Sequence, residues 1–481
     1  MSEHLRTPQP NDVLPRRAQR RSRHLGNALL VIVSFQVGLL LLTLLRPGRL
    51  PLGLDAFDAS APSTWMLLGL QLLGLCLSLV VLWRVMLVAR YRVEEDVGDW
   101  RLPRVTVLVP AYNEGRQVLS TLRSIAHSRY PTGRLEIIAI DDGSQDDTWS
   151  WIRRGEAELP GLVKAVRCPK NGGKKHALAQ GVRRARGEVI VTLDSDSEVL
   201  PDTLRLLVAP LVTDPGCGAV AGNVRVLNRH QGALPRMLDA CFTASFDFGR
   251  AAESMVGGVM CCPGALSAWR TGLFRANLDT WLSQTFFGQP AAIGEDRALT
   301  NLILRSGHTV RYQSNAIVLT QVPTRAKQLC RMFLRWARSN VRESLVMAGF
   351  VFRLRTLDGR PMRGLRVLYV ASVLSTLASA LLFLPLLVAL VGRPGMLPLY
   401  LALSAVGALP NLAINFAARD LRTALWALPW GIYSTVVTTW IPLWALLTMH
   451  RSGWLTRGAP ALAPQSADMG SMVEGAPVKA A

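Results

Sequence analysis

Five stretches of the chain, 27–45, 65–83, 367–392, 394–418 and 423–449, run for at least 19 residues without a charged side chain. A helix needs about 20 such residues to cross the hydrocarbon of a bilayer, where every backbone polar group must be satisfied within the segment. The runs therefore predict an α-helical transmembrane bundle. Of 481 residues, 50% are hydrophobic and 18% charged, which does not suit a soluble protein of several domains. One region, about 93–366, breaks the pattern: it holds most of the charge and every candidate for chemistry.

Charge sets the orientation. Arg6, Arg16, Arg17, Arg20, Arg21 and Arg23 precede the first run against only Glu3 and Asp12, which keeps the N-terminus cytoplasmic. No small-residue cleavage site closely follows that run, so it reads as an anchor rather than a signal peptide. Two crossings return the chain at Arg90 and Arg92, and the polar region is expected on the cytoplasmic side of the cell membrane. The seven cysteines lack the paired spacing of a disulfide framework, in keeping with a reducing compartment. A formal charge of +21 raises the question of nucleic acid. The arginines flank the apolar runs, however, and no basic stripe is interleaved with aromatics, so lipid bilayer and phosphorylated small molecules are the partners expected.

Within the polar region, "RVTVLVPAYNEG", "LEIIAIDDGSQDDT" and "VTLDSDSEV" each read as a strand with a polar or acidic tip followed by a helical pattern. Repeated, this is the signature of a parallel α/β sheet, whose ligands gather at the carboxyl ends of the strands. Asn113, Glu114, Asp142, Asp194 and Asp196 all fall there. Carboxylates so close repel unless a cation joins them. Asp194 and Asp196, spaced i and i+2, can turn together to a hard divalent ion that bridges a diphosphate; Ser197, Glu198 and Asp202 can alternatively begin a helix. Lys174 and Lys175, after two glycines and opening a helix, suit a phosphate. Glu295 and Asp296 read either as helix-capping acids or as holding a general base.

The ordered set "PAYNE", "DDGS", "GGKKHA", "DSDS", "GEDR" and "LRWARSNVRES" resembles the processive family 2 glycosyltransferases, membrane-embedded synthases with a cytoplasmic domain of the GT-A type, a Rossmann-like α/β fold. The likeness runs over about 104–458. "QTFFGQPAAIGEDRALTN", "FDFGRAAESMVGGVMCCPGALSAWR" and "LLTMHRSGWLTRG" look more like hyaluronan synthases, whereas "RWARSNVRES" and "VMCC" suit nodulation-type chitooligosaccharide synthases equally. Charge, apolar runs and the Ala-, Gly-, Pro- and Ser-rich end give a basic N-terminus (1–24), two transmembrane helices (25–91) and a disordered tail (459–481). With the resemblance they imply the GT-A domain (92–325), amphipathic interface helices (326–364), transmembrane or re-entrant segments (365–449) and a gating-type loop (450–458). The resemblance further implies that Tyr112, Glu114, Asp142 and Lys174 hold the nucleotide with Asp194, and that Asp196 with Asp194 binds Mg2+ or Mn2+. Asp296, beside Glu295, would be the catalytic base. Arg335 and Trp336 would flank diphosphate and acceptor, with Cys262 and Gly264 under the acceptor at the start of a helix. Trp454, Thr456 and Arg457 would form the gating loop.

The expected product is an N-acetylglucosamine-containing β-linked polysaccharide made from UDP-N-acetylglucosamine, with UDP-glucuronate if the enzyme is hyaluronan synthase-like, and the growing polymer is exported. The alternatives are a chitooligosaccharide synthase using UDP-N-acetylglucosamine alone, a lipid-linked monosaccharide transferase, and a non-catalytic nucleotide sensor. Two departures stand out. Met332 and Phe333 replace the usual polar pair before Arg335–Trp336 and are equally readable as membrane-facing, and "CCPGA" stands where relatives tend to have Gly-Pro. Trp426, Trp430, Trp440 and Trp444 read as sugar-stacking platforms or as an interfacial belt.

Overall fold

The computed structural model describes residues 62–392 and 397–451, together with Ser34, Val37 and Gly395. The rest of the first apolar run, the tail 459–481 and Trp454, Thr456 and Arg457 lie outside the described residues.

The apolar, β-branched runs become strands buried on both faces. β1 (Val105–Ala111), β2 (Leu135–Asp141), β3 (Val163–Arg167), β4 (Val189–Leu193), β5 (Ser197–Val199), β6 (Cys217–Val226) and β7 (Leu266–Arg270) are followed by a short hairpin, β8 (Thr285–Phe286) with β9 (Gln289–Pro290), and then by β10 (Thr309–Thr320). All but the hairpin join one eight-stranded sheet in the order β3-β2-β1-β4-β7-β6-β10-β5. β1 is parallel to both β2 and β4, whereas β7 runs antiparallel between β4 and β6. The carboxyl ends of β2, β1 and β4 therefore lie side by side, with Ala111 level with Asp141.

Helices cover the sheet where their apolar stripes dictate. In Gln117–Ala126, Val118, Leu119, Leu122 and Ile125 recur at helical spacing and are all buried. Two expectations fail here. Ser197 and Glu198 do not start a helix; they form β5 against Thr320 and Leu319, and the helix begins at Thr203. The segment after Cys262 does not begin a helix either. A turn closed by Leu266 N–H on the Pro263 carbonyl leads into β7, because a strand inserted between β4 and β6 buries four of its five side chains.

Two described helices contain stretches long and apolar enough to cross a membrane: Gln71–Arg90, within Pro62–Arg90, and Arg363–Leu381, within Arg363–Gly392. Leu421–Val437 and Ile441–Thr448 pass the same test together but meet at 49°. The described part of the run 394–418 forms Leu397–Gly407 and Leu409–Ala418, with Pro410 in the first turn of the second. The amphipathic helix expected from residue 326 is present as Ala326–Ala348, and its Asn340, Glu343 and Ser344 bond to Arg297 and Asn301 of the sheet domain.

Candidate active site

A cleft of about 1020 Å³ opens over the carboxyl ends of β1 and β4. It gathers Tyr112, Asp142, Lys174, Asp194, Asp196, Gly264, Glu295, Asp296, Arg335 and Trp336 from across more than 220 positions of sequence. Each arrives for a local reason. Tyr112 and Asp142 follow the last residues of β1 and β2, and Asn113 takes a left-handed turn at φ 53°. Its side-chain carbonyl accepts Gln145 N–H at 2.9 Å, and its own N–H donates to Ser144 Oγ at 3.0 Å, which ties the two strand tips together. Asp142 accepts Gly172 N–H at 2.9 Å. Burial raises its pKa to about 6, against the N–H groups of Gly172 and Gly173.

Asp194 and Asp196 face the cleft just beyond β4. Asp196 Oδ1 accepts the hydroxyls of Ser197 at 3.3 Å and Thr320 at 3.4 Å. Lys174 donates to Asp194 and lies 3.4 Å from Glu295 Oε1. Burial works against its ammonium, but Asp194 and then Glu295 outweigh it and hold the pKa above the ordinary lysine value. Gly264 gives the Lys174 ammonium room beside it, since a Cβ there would meet Nζ at 2.6 Å and displace the end of the lysine side chain.

Asp296 sits in the first turn of the Glu295–Arg305 helix. Its Oδ1 accepts Arg297 N–H at 2.8 Å, and its Oδ2 accepts Gly264 N–H at 3.3 Å. Burial, then the charge of Glu295, raises its pKa, with Lys174 and the two N–H groups opposing. Cys261 Sγ is 3.7 Å from Asp296 Oδ2. Burial, then Asp296, pushes that thiol up to about 12, so it stays protonated.

Several expected residues lie elsewhere. Glu114 is absent from the cleft wall; its N–H, like that of Gly115, caps onto Thr148 Oγ1 at 2.8 Å. Cys262 is buried in the core with its N–H on Thr300 Oγ1, and Cys261 takes the wall in its place. Lys175 points away from the phosphate side. Its ammonium reaches the Ala291 carbonyl at 3.3 Å and lies 5.3 Å over the Trp281 ring, where burial lowers its pKa to about 8. Met332 and Phe333 line the cleft rather than facing outward. None of Trp426, Trp430, Trp440 and Trp444 lines it, although Trp430 supports Phe333 edge-on at 5.8 Å.

Sequence reasoning missed one wall altogether. Ala244–Arg250 is a π-helical turn, a feature often found at functional sites, and it brings Ser245, Phe246 and Arg250 to the cleft. Arg250 lies 3.9 Å over the Phe246 ring and donates to the Cys261 carbonyl at 3.2 Å. Phe246 and Arg250 lie in "FDFGRAAESMVGGVMCCPGALSAWR", which carries part of the family resemblance, but no role follows from it for either residue.

The chemistry open to this cleft is limited by its donor set. Among the described residues no cluster of three or more His, Cys, Asp or Glu forms a complete metal cage. Two carboxylates at a strand end nevertheless fit an octahedral divalent ion whose remaining ligands are phosphate oxygens and water. A buried carboxylate of raised pKa opposite that pair can take a proton from a hydroxyl.

Comparison with known proteins identifies the fold and the family. A GT-A sheet is the fold found in a mannosyltransferase of Pyrobaculum calidifontis solved with GDP-Man and Mn2+, which is similar to this chain with TM-score 0.53 and 24% identity over 79% of the chain and 95% of its own length. Residues 103–339 match the family described as glycosyltransferase like family 2. An N-acetylglucosaminyltransferase of Rhizobium leguminosarum bv. viciae is 32% identical over 78% of this chain and 87% of its own length. A hyaluronan synthase of Streptococcus pyogenes is 34% identical over 50% of this chain and 58% of its own length. The protein is thus a glycosyltransferase of GT-A fold. It belongs to family 2.

Proposed function

We propose that the protein is an inverting, divalent-metal-dependent N-acetylglucosaminyltransferase that extends a β-linked sugar chain from UDP-N-acetylglucosamine at a membrane. The observation that carries this is the convergence in one cleft of the Asp194–Asp196 pair, Asp296 and Arg335–Trp336. Tyr112 and Asp142 take the uridine side. The metal, held by Asp194 and Asp196, would neutralise charge on the diphosphate. Asp296 accepts the proton of the acceptor hydroxyl, whose oxygen bonds to the anomeric carbon as the bond from that carbon to the β-phosphate oxygen breaks. UDP departs with the electron pair, stabilised by the guanidinium of Arg335. Trp336, half-exposed at 45%, offers its face to the acceptor ring. The long apolar helices and the relationship to a hyaluronan synthase support a multi-pass membrane protein with the transfer domain cytoplasmic, in which processive extension is coupled to export.

The similarity to an N-acetylglucosaminyltransferase over most of both chains favours UDP-N-acetylglucosamine as sufficient donor. The shorter match to a hyaluronan synthase supports a second reading, in which UDP-glucuronate alternates with it. Purified protein given each donor separately and both together separates the readings. Chitinase-sensitive product from UDP-N-acetylglucosamine alone is expected; polymer formed only with both donors and cut by a hyaluronan lyase would establish the second reading. A product of one sugar on a lipid phosphate would indicate a monosaccharide transferase, and UDP binding without any transfer a sensor.

Asp142 gives a pH test. Its folded pKa of about 6 lies above that of an ordinary carboxylate, so the charged, accepting form is lost as pH falls through about 6. UDP affinity should weaken below that pH in the native protein and not in Asp142→Asn, whose affinity is low throughout. A native affinity flat from pH 7 to 5 would remove Asp142 from the nucleotide.

A further inference from the structure

We propose that Arg342 and Glu343, a buried ion pair outside the cleft, are positioning residues that fix the carboxylate of Asp296. The inference rests on Asp296 being the base in the reaction proposed above. Their relative exposures are 1% and 0%, and charged groups are seldom so buried unless something specific is gained.

What they hold is visible in their partners. Arg342 Nε donates to Glu343 Oε1 at 3.1 Å, and Arg342 Nη2 donates to the carbonyl of Ile293. Glu343 Oε1 also accepts Gln284 Nε2, and its Oε2 accepts Asn301 Nδ2, each at 3.0 Å. One carboxylate therefore ties together the residue before the β8–β9 hairpin and the helix that begins at Glu295. Through Arg342 it also reaches the loop between them. Gly294, the next residue after Ile293, is left-handed at φ 74°. A Cβ there would fall 1.7 Å from Ser339 Oγ, so the loop is pressed onto the 326–348 helix without slack. Arg297, next to Asp296, is gripped from the same helix by Asn340 and by Ser344 Oγ, the latter at 3.0 Å.

The first turn carrying Asp296 is thus braced by residues 339–344 of a single helix. That helix also presents Arg335 and Trp336 to the cleft, and its Arg338 donates to Thr448 Oγ1 at 3.0 Å. A rigid element that carries the leaving-group cation and grips the base sets the separation between them. Such separations matter, since a displacement of about 1 Å can cost roughly 100-fold in rate.

The test is Glu343→Gln, which keeps the volume and removes the charge, together with Arg342→Lys and Arg342→Met. The expected result for Glu343→Gln is a kcat about 10–100-fold lower, with donor KM and UDP affinity in the presence of Mn2+ close to native in the folded protein, and a lower Tm because the Arg342 guanidinium loses its buried counter-charge. Arg342→Met should match it, and Arg342→Lys should recover part of the loss. A kcat within twofold of native in Glu343→Gln overturns the proposal. So does a joint fall of kcat and UDP affinity across all three variants, which would make the pair part of the general fold. Asp296→Asn is run in parallel. If it retains native turnover, the brace has no base to position and the proposal falls with the reading it rests on; if it is inactive while Glu343→Gln is native, the brace alone is overturned.

Discussion

Replacing Asp296 by asparagine should lower sugar transfer by at least about 100-fold while leaving UDP-sugar binding intact. The amide fills the same space, but its single oxygen can replace only one of the two carboxylate oxygens that accept the Gly264 and Arg297 N–H groups; the first turn of the helix should survive on its backbone bonds, such as Ala298 N–H to the Gly294 carbonyl. What is lost is the site that accepts the acceptor's proton. Because burial and Glu295 hold the Asp296 pKa above the usual carboxylate range, the active, deprotonated form is lost as pH falls through that raised value. The acid limb of the native rate profile should therefore stand above the range of an ordinary carboxylate and disappear in the variant. Single-turnover transfer with calorimetric UDP binding measures both. Near-native transfer would move the base elsewhere, with Glu295 the nearest alternative on the same cleft.

Asp196→Asn should abolish turnover by a different route, through the donor. With divalent metal present, UDP affinity should fall sharply in the variant; with chelator present, native and variant should bind UDP equally weakly. The hydroxyls of Ser197 and Thr320 aim the native carboxylate, and an amide in the same place cannot supply its charge. If native protein binds UDP as tightly in chelator as in magnesium or manganese, the pair Asp194–Asp196 holds no metal.

How much of this could be read in advance depended on how far apart the deciding residues lie. Tyr112, Asp142 and the pair Asp194–Asp196 were legible because they stand at the tips of three apolar runs, and parallel pairing brings such tips together. Asp296 and Lys174 were legible as charges opening helices. The fate of Lys175 was not, since only the packing of the 278–294 segment around Trp281 turns one lysine of the pair inward. Nor could sequence choose between Cys261 and Cys262, which alternate between wall and core because β7 follows in place of a helix. Arg250 entered the site through a π-helical turn that shifts register within one helix. Arg342 and Glu343 stood in the sequence only as part of "RWARSNVRES", with no role of their own, and only contacts some 42 to 59 positions away show them buried.

The strand order has a consequence for how the molecule can be made. Among the described strands, β7 is the only bridge between β4 and β6, and β10 the only bridge between β6 and β5, so neither half of the sheet has its final neighbour when β6 leaves the ribosome. The hydroxyl of Tyr91, just after the Pro62–Arg90 helix, donates to the carbonyl of Tyr312, a partner 221 positions downstream. At roughly 5–20 residues per second, synthesis separates these two by about 11–44 s. During that time the apolar helix is complete while strands with open edges wait for partners still untranslated. Chains arrested between residues 227 and 308 should accordingly be the protease-sensitive ones, and those that include Thr320 should become resistant together, with Tyr91 docking among the last contacts to form.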